Sequence, residues 1–379
     1  MKLLYLSPFP FERDPTGVWH PEAKSWTGAC AYQAQWPGEV IIASPGHVET
    51  VATEASVGNV RDDGTGPSIV EIPPFSEPDS QVEALQGHAP DVVLTLMNIQ
   101  ARHLPSRLPV VFTVEHDFAI RRDMASVSGS SFQKARAMAG LIRREPIYRR
   151  MAKQALSLQC NGPAATAAYR PLAPSLLSYM DHRLTRADVA LARQEQGWDG
   201  TRPLRLGFSG RWTAIKGPLH AVRVAELIQD TLPGVRLAMY GSGELESVLR
   251  REAPGNVDFL GFREFDPEWK EEVRRGVDLM VLPHMQGDPS CTYFESLGSG
   301  APVVGYHNDT LTPLVQQWGV GTAVDRGDVE GLAAAVVAIA SDPDAYAEMR
   351  LRGLELVGAQ TWEDLTAERV AHLHSVVRA

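Results

Sequence analysis

Cysteine is scarce in this chain: three in 379 residues, at positions 30, 160 and 291, with no CxxC spacing. So few, odd in number and scattered, they disfavour a disulfide framework and a cysteine-built zinc site, and they fit a reducing cytoplasm. Long apolar runs are missing too. The run Leu332–Ala340 is about half of what a membrane span needs. The apolar start Met1–Leu6 is broken by Pro8 and Pro10, too early for a signal peptide. Positive charge is in deficit, with 36 Lys and Arg against 46 Asp and Glu and a formal net charge of −10. That balance argues against a generic nucleic-acid binder. Internal repeats and low-complexity tracts are also lacking. What remains is 44% hydrophobic and 22% charged, an ordinary globular composition on a chain long enough for two domains.

Strand-like and helix-like segments alternate twice along the chain. Lys2–Ser7, Val40–Ser44, Asp91–Leu96 and Val110–Val114 read as strands in the first half, and 54–82 reads mostly as loop. Runs apolar on both faces suit parallel strands buried between helix layers. In the second half, Leu204–Ser209, Val235–Tyr240, Val257–Leu260, Asp278–Leu282 and Pro302–Tyr306 read as strands. Pro218–Leu232, Glu244–Arg251, Pro267–Arg275 and Thr292–Leu297 read as the helices between them. Short βα connections at this spacing predict an α/β protein of two doubly wound, Rossmann-like domains facing across a cleft. Polar and turn residues over 197–203 place the linker there, giving an N-terminal domain 1–198 and a C-terminal domain 199–362. Residues 362–377 read as a closing helix.

Three strand-to-helix turns of the second half carry chemistry. The first is Gly210-Arg211-Trp-Thr-Ala-Ile-Lys216-Gly217, which puts two cations and two glycines at the end of a strand. An Arg forks onto a phosphate and a Lys serves as a point charge, so the pair suits a diphosphate. The second is Gly241-Ser242-Gly243, which by itself is as readily a plain tight turn. The third is Pro289-Ser290-Cys291-Thr292-Tyr293-Phe-Glu295, which reads as a helix start with Ser290 as N-cap and a carboxylate one turn in. Amides of a first helical turn suit an anion, and a nearby carboxylate suits sugar hydroxyls. Together the turns read as a nucleotide-sugar site. Singly, each also reads as a surface cation pair, a turn, or a dipole-complementing Glu.

These residues resemble the donor domain of retaining GT-B glycosyltransferases, in particular glycosyltransferase family 4. The matching pieces run in the family's order over roughly 204–362. They are Gly210-Arg211…Lys216-Gly217, Tyr240-Gly-Ser-Gly243-Glu244, Val257-Asp-Phe-Leu-Gly261, Asp278-Leu-Met-Val-Leu-Pro283 and Glu295-Ser-Leu-Gly-Ser-Gly300-Ala-Pro-Val-Val304. The first half matches more loosely, through a Gly17-containing loop and Phe112-Thr-Val-Glu-His116-Asp117. The resemblance implies that Arg211 and Lys216 bind the donor diphosphate and stabilise the departing nucleotide. It implies that Glu295 holds ribose hydroxyls, that Gly210, Gly241–Gly243 and Ser290–Tyr293 line the donor site, and that His116 approaches the donor sugar from the other domain. Gly17 and Asp117 fall on the acceptor side, and the segment 363–379 crosses back to the N-terminal domain. No metal and no cofactor is implied; the nucleoside-diphosphate sugar is the donor substrate.

The chain departs from the family pattern in three places. The first of the family's paired glutamates would fall at Gly287, and the nearest acid is Asp288, the candidate sugar-reading acid. Ser290 stands where the family has glycine. His307-Asn-Asp-Thr-Leu-Thr-Pro-Leu314 replaces a Gly-Gly-x-Pro-Glu segment. The expected activity is metal-independent glycosyl transfer to an acceptor hydroxyl with retention, of hexosyltransferase type. A nucleotide-sugar epimerase of the same architecture and an inactive nucleotide-sugar-binding protein are the alternatives. The acceptor class stays open among glycans, lipid-linked sugars and small metabolites. Residues 134–153 carry seven Lys and Arg against Glu145 alone. That stretch reads as a solvated helix surface or as a contact with anionic lipid at the inner membrane face of an otherwise cytoplasmic protein.

Overall fold

The apolar runs of the first half become parallel strands. In the computed structural model, which describes residues 1–49, 60, 62–127, 129–287 and 289–378, these are β1 (Lys2–Leu6), β4 (Glu39–Pro45), β6 (Ser68–Ile72), β7 (Val92–Leu96), β8 (Val110–Val114), β9 (Ser157–Asn161) and β10 (Leu176–Tyr179). They form one sheet in the order β10-β9-β8-β7-β1-β4-β6. A small second sheet joins β2 (Phe11–Arg13), β3 (Trp19–His20) and β5 (His47–Glu49). Alternate residues of the central strands enter opposite cores. Leu4, Val93, Val110 and Phe112 pack in one cluster, and Leu3, Val92, Leu94 and Val111 in another. Burial on both faces is what the continuous apolar runs demand.

The second half builds another all-parallel sheet from β11 (Arg205–Ser209), β12 (Arg236–Tyr240), β13 (Val257–Gly261), β14 (Leu279–Leu282), β15 (Val303–Tyr306) and β16 (Gly321–Val324). Its order is β13-β12-β11-β14-β15-β16. Leu206, Phe208, Leu237 and Val281 pack on one face, and Met280, Leu282 and Val303 on the other.

Two units emerge from the contacts: 1–118, 136–179 and 364–379 in the first, 119–135 and 180–363 in the second. The boundary expected at 198/199 therefore lies inside the second unit. Hydrophobic packing explains why. Val189 and Ala192 of the helix Arg186–Gln194 share a core cluster with Leu354 and Val357. Trp198 packs edge-on against Tyr346 at 5.5 Å and donates through Nε1 to the Arg202 carbonyl at 2.8 Å. The polar stretch 197–203 is thus pinned to the second unit's core.

The helix Trp362–Arg378 supplies Val370 and Leu373 to the first unit's core. Arg369 on it donates to Gln159 Oε1 at 2.8 Å. The stretch 54–82, read as mostly loop, also holds two elements: β6, which pairs with β4, and the start of a helix over Pro78–Gly87. As an edge strand, β6 buries only Ile72, so its apolar signal is weak. Residues 54–59 and 61 of that stretch lie outside the described residues. Among the described residues no helix is long and apolar enough to cross a membrane.

Candidate functional site

Three loops leave the carboxyl ends of β11, β12 and β14 and are knitted together by their backbones. Trp212 donates its amide to the Ser242 carbonyl at 2.8 Å, and the Leu245 amide donates back to Trp212 at 3.1 Å. Gly210 donates to the Tyr240 carbonyl at 3.2 Å. Two of the expected glycines are sterically required. Gly241 has φ of 124°, and a Cβ there would strike the Gly210 carbonyl oxygen. Gly217 sits in the left-handed region at φ 67°, and a Cβ there would strike the Pro283 carbonyl oxygen. These contacts put the segment 210–217 directly against the segment 283–290.

The two expected cations sit differently. Arg211 is exposed, whereas Lys216 is buried, with Nζ 3.5 Å from Ser290 Oγ. Ser290 does occupy the N-cap of the helix Cys291–Gly298, but its side chain makes no capping hydrogen bond. That expected bond is corrected by geometry, since the hydroxyl faces Lys216 instead. Tyr293 donates its amide to the Ser290 carbonyl at 3.1 Å, closing the first turn. Its buried phenol oxygen accepts from Asn308 Nδ2 at 3.1 Å. Asn308 also accepts the amides of Thr310 and Leu311 at 2.9 and 2.8 Å, so it orders the loop after β15.

Glu295 lies on the same helix with its side chain 6% exposed. Arg183 donates from Nε to its Oε1 at 3.3 Å, and the Arg183 guanidinium lies 3.6 Å from the centroid of the Phe265 ring. Arg183 ends a short strap along the helix Cys291–Gly298. Asp181 receives the Cys291 thiol at 3.5 Å. His182 stacks on Phe294, with ring centroids 5.7 Å apart and planes within 3°. Its Nε2 faces the Gln360 carbonyl at 2.8 Å and its Nδ1 accepts the Leu184 amide at 3.2 Å, which assigns the Nε2–H tautomer. Burial pushes the His182 pKa below its ordinary value. Nothing in the sequence pattern singled out this strap; the only local signal was the run of polar residues just before Thr185-Arg-Ala-Asp188, which forms a capping box.

Behind Lys216 lies His284, fully buried, with its ring centroid 5.1 Å from that of Tyr293. Neither ring nitrogen has a hydrogen-bond partner. Its pKa falls well below the ordinary value, first through burial and then through the Lys216 charge. Gln286 Oε1, Thr213 Oγ1 and Trp212 Nε1 are also buried without partners. So many orphaned polar atoms in adjoining loops are unusual in a packed interior. Asp288 lies outside the described residues.

The remaining sequence candidates belong to the first unit. His116 and Asp117 follow β8 and are half-buried, and neighbouring Glu115 accepts from Asn161 Nδ2 at 2.7 Å. Gly17 has φ of 88°, and its carbonyl accepts from Arg13 Nε at 3.1 Å. Among the described residues no group of three or more His, Cys, Asp or Glu side chains is gathered to hold a metal ion.

Residues 203–342 match the family model of the group 1 glycosyl transferases. A GDP-mannose-dependent monoacylated alpha-(1-6)-phosphatidylinositol monomannoside mannosyltransferase of Corynebacterium glutamicum is 26% identical over 203 residues, covering 50% of this chain and 51% of that protein. A lipopolysaccharide core biosynthesis glycosyltransferase, LpsE of Rhizobium meliloti, is 31% identical over 144 residues, covering 36% and 40%. The chain thus spans about half the length, or less, of these curated relatives. Among solved structures, Anabaena Alr3699/HepE in complex with UDP superposes with a TM-score of 0.64 at 16% identity, over 99% of this chain and 100% of that one. WaaG, a glycosyltransferase involved in lipopolysaccharide biosynthesis, gives 0.64 at 12% identity over 97% and 99%. At these identities the structural likeness speaks for the fold, which is GT-B: two Rossmann-like α/β domains, as the motifs implied.

Proposed function

We propose that this chain transfers a hexosyl group from a nucleoside-diphosphate sugar to an acceptor hydroxyl, with retention of anomeric configuration and without a metal ion. The observation that carries this reading is the meeting of Lys216 with Ser290 at the start of the helix that also bears Glu295. A diphosphate laid across that junction meets a buried ammonium, a hydroxyl and the positive end of a helix, with Arg211 at the rim. Glu295 one turn on supplies the acceptor for ribose hydroxyls. The UDP complex of the fold neighbour and the nucleotide-sugar donor named for the Corynebacterium relative support the donor class.

In this mechanism the bond between the anomeric carbon and the phosphate oxygen breaks as the acceptor oxygen bonds to the same face. The acceptor's proton passes to the departing phosphate oxygen. Arg211 and Lys216 stabilise the charge that develops on the leaving diphosphate, which is the electrostatic work that metal ions perform in other transferases. His116 is assigned a catalytic role at the donor sugar, Gly17 and Asp117 the acceptor side, and Asp288 the reading of the donor sugar.

Thermal shifts with a panel of nucleoside diphosphates and nucleotide sugars, with and without EDTA, test the reading. A ligand at ~100 times its dissociation constant stabilises by about 2.7 kcal/mol. A shift for one base that survives EDTA and is lost in Arg211→Ala supports the site. No shift with any nucleotide rejects it. For the acceptor we assign a lipid-borne or membrane-proximal glycan, because Arg136, Arg143, Arg144, Arg149, Arg150 and Lys153 are exposed on the helix Ser131–Gln154. Such a surface suits peripheral contact with anionic lipid, so co-sedimentation with anionic vesicles that salt abolishes is the expected result.

A further inference from the structure

Glu295 is nearly enclosed, and a buried carboxylate must be held by donors or its charge becomes costly. Its partner is not a neighbour in sequence but Arg183, 112 residues away. Arg183 is itself fixed from a second side. Its guanidinium carbon lies over the Phe265 ring, 3.6 Å from the centroid, so cation–π attraction restrains the fork. Only Nε is spent on Glu295, and only Oε1 of the carboxylate is spent on Arg183. Among the described residues Oε2 accepts no hydrogen bond.

We propose that Arg183 is a positioning residue for donor recognition: it pins Oε1 so that Oε2 of Glu295 is presented in one orientation to the ribose diol of the nucleotide. The inference rests on the donor-site reading above. A role limited to holding the fold together is already filled next door. Asp181 binds Cys291 and His182 stacks on Phe294, so the strap stays on the helix Cys291–Gly298 without the Arg183 bond. What Arg183 adds is direction. A carboxylate turning freely about its last torsion loses part of each hydrogen bond to entropy, and a planar fork held on an aromatic face removes that freedom.

The measurement that isolates this role compares two ligands rather than two proteins alone. Calorimetric titration uses a nucleoside diphosphate carrying the base that stabilises wild type most, and its 2′,3′-dideoxy counterpart. The wild type should prefer the ribonucleotide by ~10-fold or more, the scale of hydrogen bonds to a charged group. Arg183→Met should lose about tenfold in ribonucleotide affinity with under threefold change for the dideoxynucleotide, so that discrimination collapses toward that of Glu295→Gln. Arg183→Lys should recover part of the preference. Phe265→Leu, which leaves the ion pair but frees the guanidinium, should show a smaller loss of the same kind. Equal losses on both ligands, or no loss, would overturn the inference while leaving the donor site standing. Failure of the wild type to bind either nucleotide would overturn the donor-site reading, and this inference with it.

Discussion

Gly217 and Pro283 meet so closely that no side chain fits between them: a Cβ on Gly217 would lie within collision distance of the Pro283 carbonyl oxygen. The contact welds the turn carrying Lys216 to the turn that leads into the helix of Glu295. Gly217 also holds φ of 67°, where L side chains are strained.

Gly217→Ala therefore carries two penalties, backbone strain and overpacking against main chain, which together cost about 2–4 kcal/mol. Urea denaturation should show that loss as a lower midpoint with an unchanged slope. Gly255→Ala is the matched control, since a Cβ there meets nothing within 4 Å. Its change should stay within about 0.5 kcal/mol. A Gly217→Ala protein as stable as the control would mean that the two turns are not locked.

Arg211 and Lys216 should separate from stability. Arg211 is exposed, so Arg211→Ala should leave the melting temperature nearly unchanged while the transfer rate falls by on the order of 10²–10³. Lys216→Met should lower the rate on the same scale, with a modest loss of stability from its buried position. EDTA should leave the wild-type rate as it is. Either variant retaining activity within threefold of wild type removes that cation from the leaving-group role.

Much of this was legible in the sequence, and the limits are physical. The glycine turns and Glu295 are short-range patterns of residue type, and the parallel strands announce themselves by apolar runs. Arg183, His284 and Asn308 were not legible because their roles depend on partners brought close only by the fold. The same holds for β9, where Ser157 and Gln159 are polar yet buried. Ser157 pairs with His372 at 2.9 Å, and Gln159 donates to the Arg369 carbonyl from a position 210 residues away, so polar residues there belong to a core strand. Trp198 misleads in the other direction. It sits in a turn-rich stretch that reads as a linker, yet it is 5% exposed and part of the second unit's core.

Asp278, at the entry of β14, anchors that strand's start. Its buried carboxylate takes paired hydrogen bonds from Arg202 at 2.6 and 2.7 Å and from Arg205 at 2.8 and 3.1 Å. Asp278→Ala removes the shared acceptor of two part-exposed cations that water can solvate, and should destabilise by about 1–3 kcal/mol. Burial pushes its pKa up, but the hydrogen bonds from Arg202 and Arg205 outweigh that, and the net shift is downward. A depressed carboxyl pKa contributes stability above the ordinary value of 3.8 and loses it as pH falls through the folded value. Acid titration of wild type should show that loss at the low-pH end, and Asp278→Asn should flatten it.

His284 should govern a different pH window. Its folded pKa lies well below the ordinary 6.5, because burial and the Lys216 charge both disfavour the imidazolium. In the unfolded chain the ring takes up a proton near 6.5, so between the folded value and 6.5 the unfolded state binds more protons. Stability from this group is therefore complete above 6.5 and declines as pH falls below it. His284→Phe keeps a ring against Tyr293, removes two unpartnered nitrogens and cannot titrate. Other histidines with lowered pKa, among them His182 and His220, contribute to the same window in both proteins, so the difference between variant and wild type reports His284 alone. Denaturation midpoints taken from pH 8 to pH 5 should fall more steeply for wild type than for His284→Phe, with the variant no less stable at pH 8. Parallel curves would show that His284 is protonated in the folded protein or already hydrated, and would remove it from the interior behind Lys216.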